Sequence, residues 1–157
     1  MKVLKLPIFL LFLCSGLQLS AQEANSDDGK LALSITNLNG NRGNLIVTYF
    51  DDAEAFSERD EEYYFRKDTI SLHDLEDGVT NKVVYTTIKP GRYAVYVHHD
   101  EDGDGKMPKT LIKNPLEGEG FSNVTVHRYP KFRNAAIQVE KGVQSVALVQ
   151  LFYPEVK

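Results

Sequence analysis

One run of this chain is apolar on both of its faces, and this restricts the fold more than any other part of the sequence. Residues 92–98 read RYAVYVH, and an extended strand places these side chains alternately on two sides. One face carries Tyr93, Val95 and Val97, and the other carries Ala94 and Tyr96. Such strands lie inside a sheet that is covered on both sides. The run therefore predicts a central strand of a layered β structure.

Shorter runs with strand-like alternation surround the central one, separated by turns such as Asn39-Gly40 and Pro90-Gly91. They predict an all-β fold, a Greek-key β-sandwich of about seven strands resembling immunoglobulin domains. Neighbouring strands are expected to pair as hairpins, at the start of the domain and through the turn at residues 140–142. The runs are residues 30–36, 43–50, 63–65 together with 69–72 as a short edge strand, 82–88, 92–98, 121–127, 135–139 and 143–152.

Residues 51–68 interrupt this β pattern with a charged stretch. Ser57 and Asp60 have the spacing of a weak helix start, so a short helical turn is expected there. Phe56 is its predicted buried anchor. The charges themselves are more typical of a solvated face than of a binding site.

The N-terminus has the composition of a segment that directs export. Lys2 and Lys5 precede an apolar stretch at residues 6–13, and small residues lead to Ala21. This order predicts a secretory signal peptide at residues 1–21, because the stretch is too short to anchor the chain across a membrane. The predicted location is the periplasm or the cell exterior.

Removal of residues 1–21 leaves a predicted leader at residues 22–29 and one β-sandwich domain at residues 30–153, with no membrane span. It also removes Cys14, the only cysteine, so the domain has no disulfide or thiol chemistry. The formal net charge of the whole chain is -4. Nucleic acid is therefore excluded as a partner, because such binding needs clustered basic residues.

Three segments resemble the motifs of one bacterial family, in the same order. They read PGRYAVYVHHDEDGDGK at residues 90–106, PLEGEGFSN at residues 115–123 and PKFRNAAI at residues 130–137. The family is the exported one catalogued as domain of unknown function 2141. The resemblance covers nearly all of the chain after the signal peptide, and it implies a transthyretin-like or carboxypeptidase-regulatory-like β-sandwich without implying an activity. The chain departs from the family pattern at Met107-Pro108, where Asp or Asn is usual.

The loop after the central strand carries a carboxylate at every second position. Asp100, Asp102 and Asp104 are followed by Gly105, as in the first half of an EF-hand calcium loop. A tight turn can aim alternate carboxylates at one cation, and Ca²⁺ prefers six to eight oxygen ligands. The backbone carbonyl of Lys106 is expected to add one oxygen. The pattern predicts a calcium site, and calcium is the one cofactor that the sequence suggests.

The second half of the loop departs from the EF-hand pattern. Position twelve is Leu111, where an EF-hand has a bidentate glutamate. A further carboxylate is therefore expected from a neighbouring loop, and Glu117 and Glu119 are the nearest candidates. The alternative is a glycine-rich turn whose aspartates accept hydrogen bonds from the local backbone and hold no ion.

Two adjacent histidines end the central strand. His98 and His99 point to opposite faces of a strand, so they cannot serve one metal ion together. His99 is expected to be structural and to bond the backbone at residues 121–123. A rival interpretation is a small metal-dependent or His/carboxylate hydrolase that combines one of these histidines with a nearby carboxylate. Its candidate carboxylates are Asp100, Asp102, Glu117 and Glu119.

No motif of a known catalytic class accompanies these residues. The sequence contains no G-x-S-x-G, no P-loop and no H-E-x-x-H. The sequence therefore favours an exported, non-catalytic binding or accessory module at the cell envelope. Its expected partner is a protein or a glycan.

Overall fold

A computed structural model describes residues 27–59, 62–106, 117–126 and 128–153. Within these ranges the chain forms eight strands and two short helices. The strands are β1 (Gly29–Thr36), β2 (Asn44–Phe50), β3 (Arg66–Ser71), β4 (Asn81–Ile88), β5 (Gly91–Asp100), β6 (Gly118–Phe121), β7 (Ile137–Val139) and β8 (Gln144–Gln150), and the helices are α1 (Ala53–Glu58) and α2 (Phe132–Ala135). The prediction of an all-β sandwich is confirmed.

Two sheets pack face to face around the main core. One contains three strands in the order β4-β1-β8, and the other contains β3-β2-β5-β6 with β7 added to β5. The core between them includes Leu33 and Ile35 of β1 and Val95 and Val97 of β5, all fully buried. Each sheet has an apolar face that it cannot cover by itself, so packing the two faces together is what stabilises the domain.

β5 is the central strand that the sequence predicts. It pairs antiparallel with β2 along one edge, and with β7 and then β6 along the other. Residues 93–100 are all buried. The outer face of β5 is covered by a second, smaller core, in which the ring of Tyr96 packs on Phe121 and Phe121 meets Phe56 edge to face.

Helix α1 supplies Phe56 to this second core. The side chain of Asp52 accepts hydrogen bonds from the backbone N–H groups of Glu54 and Ala55, which have no partner inside a helix. The predicted helix start at Ser57 is wrong, because Asp52 already caps the helix five residues earlier. The predicted burial of Phe56 is confirmed, since its side chain is fully buried.

The predicted hairpins are wrong. β1 and β2 lie in different sheets, as do β7 and β8, and the connection between β4 and β5 also crosses between the sheets. β1 instead pairs antiparallel with β4 and parallel with β8. Alternation and turn residues show that the chain reverses, but they do not show whether it returns beside the same strand or to the facing sheet.

The predicted signal peptide and most of the predicted leader lie outside the described residues. β1 begins at Gly29, one residue before the predicted domain start. Neither of the two described helices approaches the length and apolarity that a membrane crossing requires.

Candidate metal centre

The acidic loop begins where β5 leaves the sheet. Asp100 is the last residue of β5 and is 1% exposed, whereas Asp102 and Asp104 are exposed. Gly103 and Gly105 have φ angles of 76° and 71°. This region of backbone space is open to glycine and costly for most other residues, so the two glycines allow the loop to curl over Asp100.

The aspartates stabilise this curl by accepting hydrogen bonds from the backbone of the loop. Asp100 accepts from the N–H of Gly103 through Oδ1 at 3.0 Å and from that of Gly105 through Oδ2 at 3.2 Å. Asp102 Oδ1 accepts from the N–H of Asp104 at 3.0 Å. These are the bonds expected of an ion-free turn, but each oxygen keeps a second lone pair. The loop alone therefore does not distinguish a turn from a cation site.

Lys106 contacts the loop through Asp104. Its backbone N–H donates to Asp104 Oδ1 at 2.8 Å, and its Nζ lies 3.2 Å from Asp104 Oδ2. The backbone N–H and then the ammonium group hold the pKa of Asp104 below its usual range. Asp104 is therefore an ionised carboxylate at neutral pH.

A fourth carboxylate reaches the loop from the residue before β6. The ladder between β5 and β6 sets His99 opposite Gly118, so Glu117 comes level with the end of β5. One oxygen from each of four carboxylates lies within 4.8 Å of the others. The four residues are Asp100, Asp102, Asp104 and Glu117. The structure thus brings three loop aspartates and one of the two predicted distant carboxylates to a single point.

Glu117 is the member of this cluster that the hydrogen bonds leave incomplete. The residue is 3% exposed, and its Oε2 lies 2.9 Å from Nε2 of the fully buried His98. Its other oxygen, Oε1, is buried and has no hydrogen-bond partner among the described residues. A buried polar atom without a partner costs about 1–3 kcal/mol, and more when it is charged. A cation beside Oε1 would remove that cost.

Glu119 lies outside the cluster. Its Oε2 is 3.2 Å from Nη1 of Arg59 and accepts a hydrogen bond from the hydroxyl of Tyr96 at 3.1 Å. Burial, and then the charge of Glu119, raise the pKa of the Tyr96 hydroxyl well above its usual value. Of the two candidate partners for the loop, the structure brings Glu117 to it and joins Glu119 to Arg59.

His99 lies on the opposite face of β5 from His98, as predicted, and serves the fold. Its Nε2 is 2.9 Å from the carbonyl oxygen of Arg42, and its Nδ1 is 2.7 Å from the hydroxyl of Tyr153. A carbonyl only accepts, so Nε2 carries a hydrogen and donates it to Arg42. The expected partners at residues 121–123 are wrong, because His99 faces the other sheet.

Two structural residues near the site were missed by sequence reasoning. Ser122 Oγ donates to the carbonyl of Ala135 at 2.6 Å and accepts from the N–H of Val95 at 2.9 Å. Tyr153 accepts from the N–H of Asn39 at 3.0 Å while it bonds His99. The only feature of the sequence that could have indicated a structural role for Ser122 was its place in the family-like motif at residues 115–123. No such feature exists for Tyr153, since it lies 54 residues from His99 in the chain.

Comparison with protein families relates the chain to a bacterial family. The family model described as "Uncharacterized protein conserved in bacteria (DUF2141)" matches residues 33–147. The chain belongs to this family. The match runs from β1 into β8, so the acidic cluster of this DUF2141 member lies inside the shared region. No curated protein and no solved structure matches the chain significantly.

Proposed function

We propose that this chain is an exported, non-catalytic β-sandwich module whose acidic cluster binds a calcium ion. The observation that carries the proposal is the buried carboxylate of Glu117, which lies beside three loop aspartates and whose Oε1 has no hydrogen-bond partner among the described residues. Carboxylates this close repel one another unless a cation or a proton lies between them. Hard oxygen atoms gathered at one point are the ligands that Ca²⁺ prefers.

Calcium suits the arrangement better than magnesium. Ca²⁺ accepts six to eight oxygens in flexible geometry, whereas Mg²⁺ requires a near-ideal octahedron and keeps several waters. Asp102 and Asp104 are exposed, so water competes for half of the carboxylate ligands. We therefore expect a dissociation constant of about 10⁻⁴–10⁻³ M, typical of extracellular calcium modules.

The burial of His98 and Glu117 favours binding over hydrolysis. The two side chains are close enough for acid–base chemistry, but they are 0% and 3% exposed. A cavity of about 730 Å³ lies elsewhere, beside α1, and residues such as Asp51, Glu58 and Tyr63 line it. A substrate in that cavity would not meet the His98–Glu117 pair.

A bound cation would join two separate segments, the loop after β5 and the residue that precedes β6. Such a link stiffens one end of the sandwich and gives a partner a defined surface. The signal peptide predicted at residues 1–21 supports a role at the cell envelope, and the partner that we propose there is a protein or a glycan.

Thermal unfolding in calcium, magnesium or EDTA tests the proposal. In 10 mM calcium the ion exceeds the expected dissociation constant by about 10- to 100-fold, which stabilises the fold by about 1.4–2.7 kcal/mol. The melting temperature should rise by about 4–8 °C, with a smaller rise in magnesium. Equal melting temperatures in 10 mM calcium and in EDTA would contradict the proposal.

A matched pair of variants identifies the ligands. Glu117→Gln should remove most of the calcium-induced rise, because an amide is a weaker calcium ligand than a carboxylate. Glu140→Gln makes the same chemical change at an exposed turn near the start of β5, at the other end of that strand. It should respond to calcium as the parent protein does.

A further inference from the structure

The hydrogen bonds of the acidic cluster restrict how many oxygens it can offer to a cation. Bidentate chelation needs both oxygens of a carboxylate to face the ion. Both oxygens of Asp100 and Oδ1 of Asp102 already accept backbone N–H groups. Oε2 of Glu117 is held by His98, and both oxygens of Asp104 are engaged by Lys106. The cluster brings one oxygen of each carboxylate to a common point, so we count one oxygen from each.

This restriction leaves a bound calcium ion with free positions. The four carboxylates supply about four oxygens, and the carbonyl expected from Lys106 brings the total to about five. Ca²⁺ takes six to eight oxygen ligands, so roughly one to three positions remain for water or for a partner.

The exposed half of the cluster is where the free positions are expected. Asp100 and Glu117 are buried and form the floor of the cluster, whereas Asp102 and Asp104 are exposed and form its rim. Ligands from the floor and the rim occupy the protein side of the ion. A molecule that arrives from solution therefore meets the ion directly, without opening the fold.

The charge around the ion selects the kind of molecule that can bind there. Four carboxylates carry four negative charges, the ion neutralises two, and the ammonium of Lys106 lies on Asp104. The remaining charge is negative, so a phosphate or a carboxylate is repelled. Neutral oxygen ligands are favoured instead.

We propose that the calcium-loaded cluster binds saccharides through two neighbouring hydroxyl groups. A vicinal diol offers two neutral oxygens at the spacing of adjacent calcium positions, and it displaces two waters at once. This inference rests on the calcium site proposed above, and it names the glycan rather than the protein as the partner. The contact is small, so the expected affinity for a monosaccharide is in the millimolar range.

Saturation-transfer NMR with neutral methyl glycosides of glucose, galactose and mannose tests the proposal. At least one glycoside should bind in 5 mM calcium, and its apparent affinity should fall at least tenfold in EDTA. The 2,3,4-tri-O-methyl derivative of the same glycoside has no vicinal diol and should not bind. Glu117→Gln should abolish the signal, and Glu140→Gln should keep it.

Calcium titration by calorimetry, run on the same samples, distinguishes a failure of the saccharide proposal from a failure of the calcium site. If the protein binds calcium but none of the glycosides at 100 mM, the saccharide proposal is overturned and the calcium site stands. Equal binding in EDTA, or calcium-dependent binding of acetate or inorganic phosphate in place of the glycosides, also overturns it. Absence of calcium binding overturns both proposals.

Discussion

His98 and His99 are consecutive residues on β5 and equally buried, yet their surroundings differ. Both ring nitrogens of His99 have partners, the carbonyl of Arg42 and the hydroxyl of Tyr153. Only Nε2 of His98 has one, Glu117, and its Nδ1 has none among the described residues. The face that carries His99 is closed by the second sheet, whereas the face that carries His98 continues into the acidic cluster.

The difference separates a residue that serves the fold from one that lies beside the proposed cation site. Buried polar atoms in folded proteins are nearly all hydrogen-bonded, so the exceptions need a reason. Of the five unpartnered buried side-chain atoms in the described ranges, two belong to the His98–Glu117 pair. The two hydrogen bonds of the His99 ring contribute stability, although Oε1 of Glu101, 3.8 Å from its Nδ1, is unpartnered among the described residues. The unpartnered Oε1 of Glu117, in the cluster with three aspartates, is what supports the proposed cation site.

The largest expected effect is on stability, at His99, on the face of β5 that the second sheet covers. His99→Leu removes both hydrogen bonds of a fully buried ring and leaves the carbonyl of Arg42 without its donor, so it should cost about 3 kcal/mol of folding free energy. Urea unfolding in EDTA measures the loss. His73→Leu, at an exposed loop position, is the control and should change stability by less than about 0.5 kcal/mol. A loss below about 1 kcal/mol at His99 would mean that its network is not what stabilises this face.

The second-largest effect is on calcium binding, at His98, on the face of β5 that continues into the acidic cluster. His98→Leu should weaken calcium binding by about 10- to 100-fold, because the hydrogen bond that orients Glu117 is lost. His98→Gln retains an N–H donor and should recover part of the affinity. Calorimetric titration with calcium measures both. Unchanged affinity in His98→Leu would show that Glu117 is oriented by other contacts.

A smaller effect is expected at Glu119. Glu119→Gln weakens the pairing with Arg59 and the hydrogen bond from Tyr96, so it should cost about 1 kcal/mol. The calcium-induced rise in melting temperature should stay as in the parent, because Glu119 lies outside the cluster. A reduced rise would instead make Glu119 a ligand.

The smallest effect is a pH dependence at Asp104. Its pKa in the folded chain is lowered by Lys106, so its contacts stabilise the fold above the unfolded pKa and are lost as pH falls through the folded value. Asp104→Asn should therefore lower the stability slightly at neutral pH, match the parent protein at the acid end, and flatten the profile below about pH 4. Urea unfolding across pH 2–6 in EDTA measures this, and identical profiles would contradict it.

The local features of the site could be predicted from the sequence. The alternation around Val95 places β5 at the centre, and the spacing of Asp100, Asp102 and Asp104 forms the loop. The choice between Glu117 and Glu119 could not be predicted, because both alternate onto the same face of β6. The register of β5 with β6 decides it, because it sets Glu117 level with the end of β5 and Glu119 opposite His98, where Glu119 pairs with Arg59.

The pairing of strands could not be predicted either. The turn residues near Gly40 and Gly142 are compatible with a hairpin within one sheet and equally with an arch that connects two sheets. Which of the two forms depends on contacts between residues far apart in sequence. These contacts are the second, smaller core under α1 and the parallel pairing of β1 with β8.

The sequence by itself determined that this protein is a β structure with a doubly buried central strand that ends in an acidic loop. These properties depend on alternation and on residue spacing, which are local. Only the tertiary structure decided which strands share a sheet, that Glu117 completes the cluster, and that His98 and His99 have different roles. Those outcomes depend on which edges pair and which faces pack, and such contacts are settled by the whole chain at once.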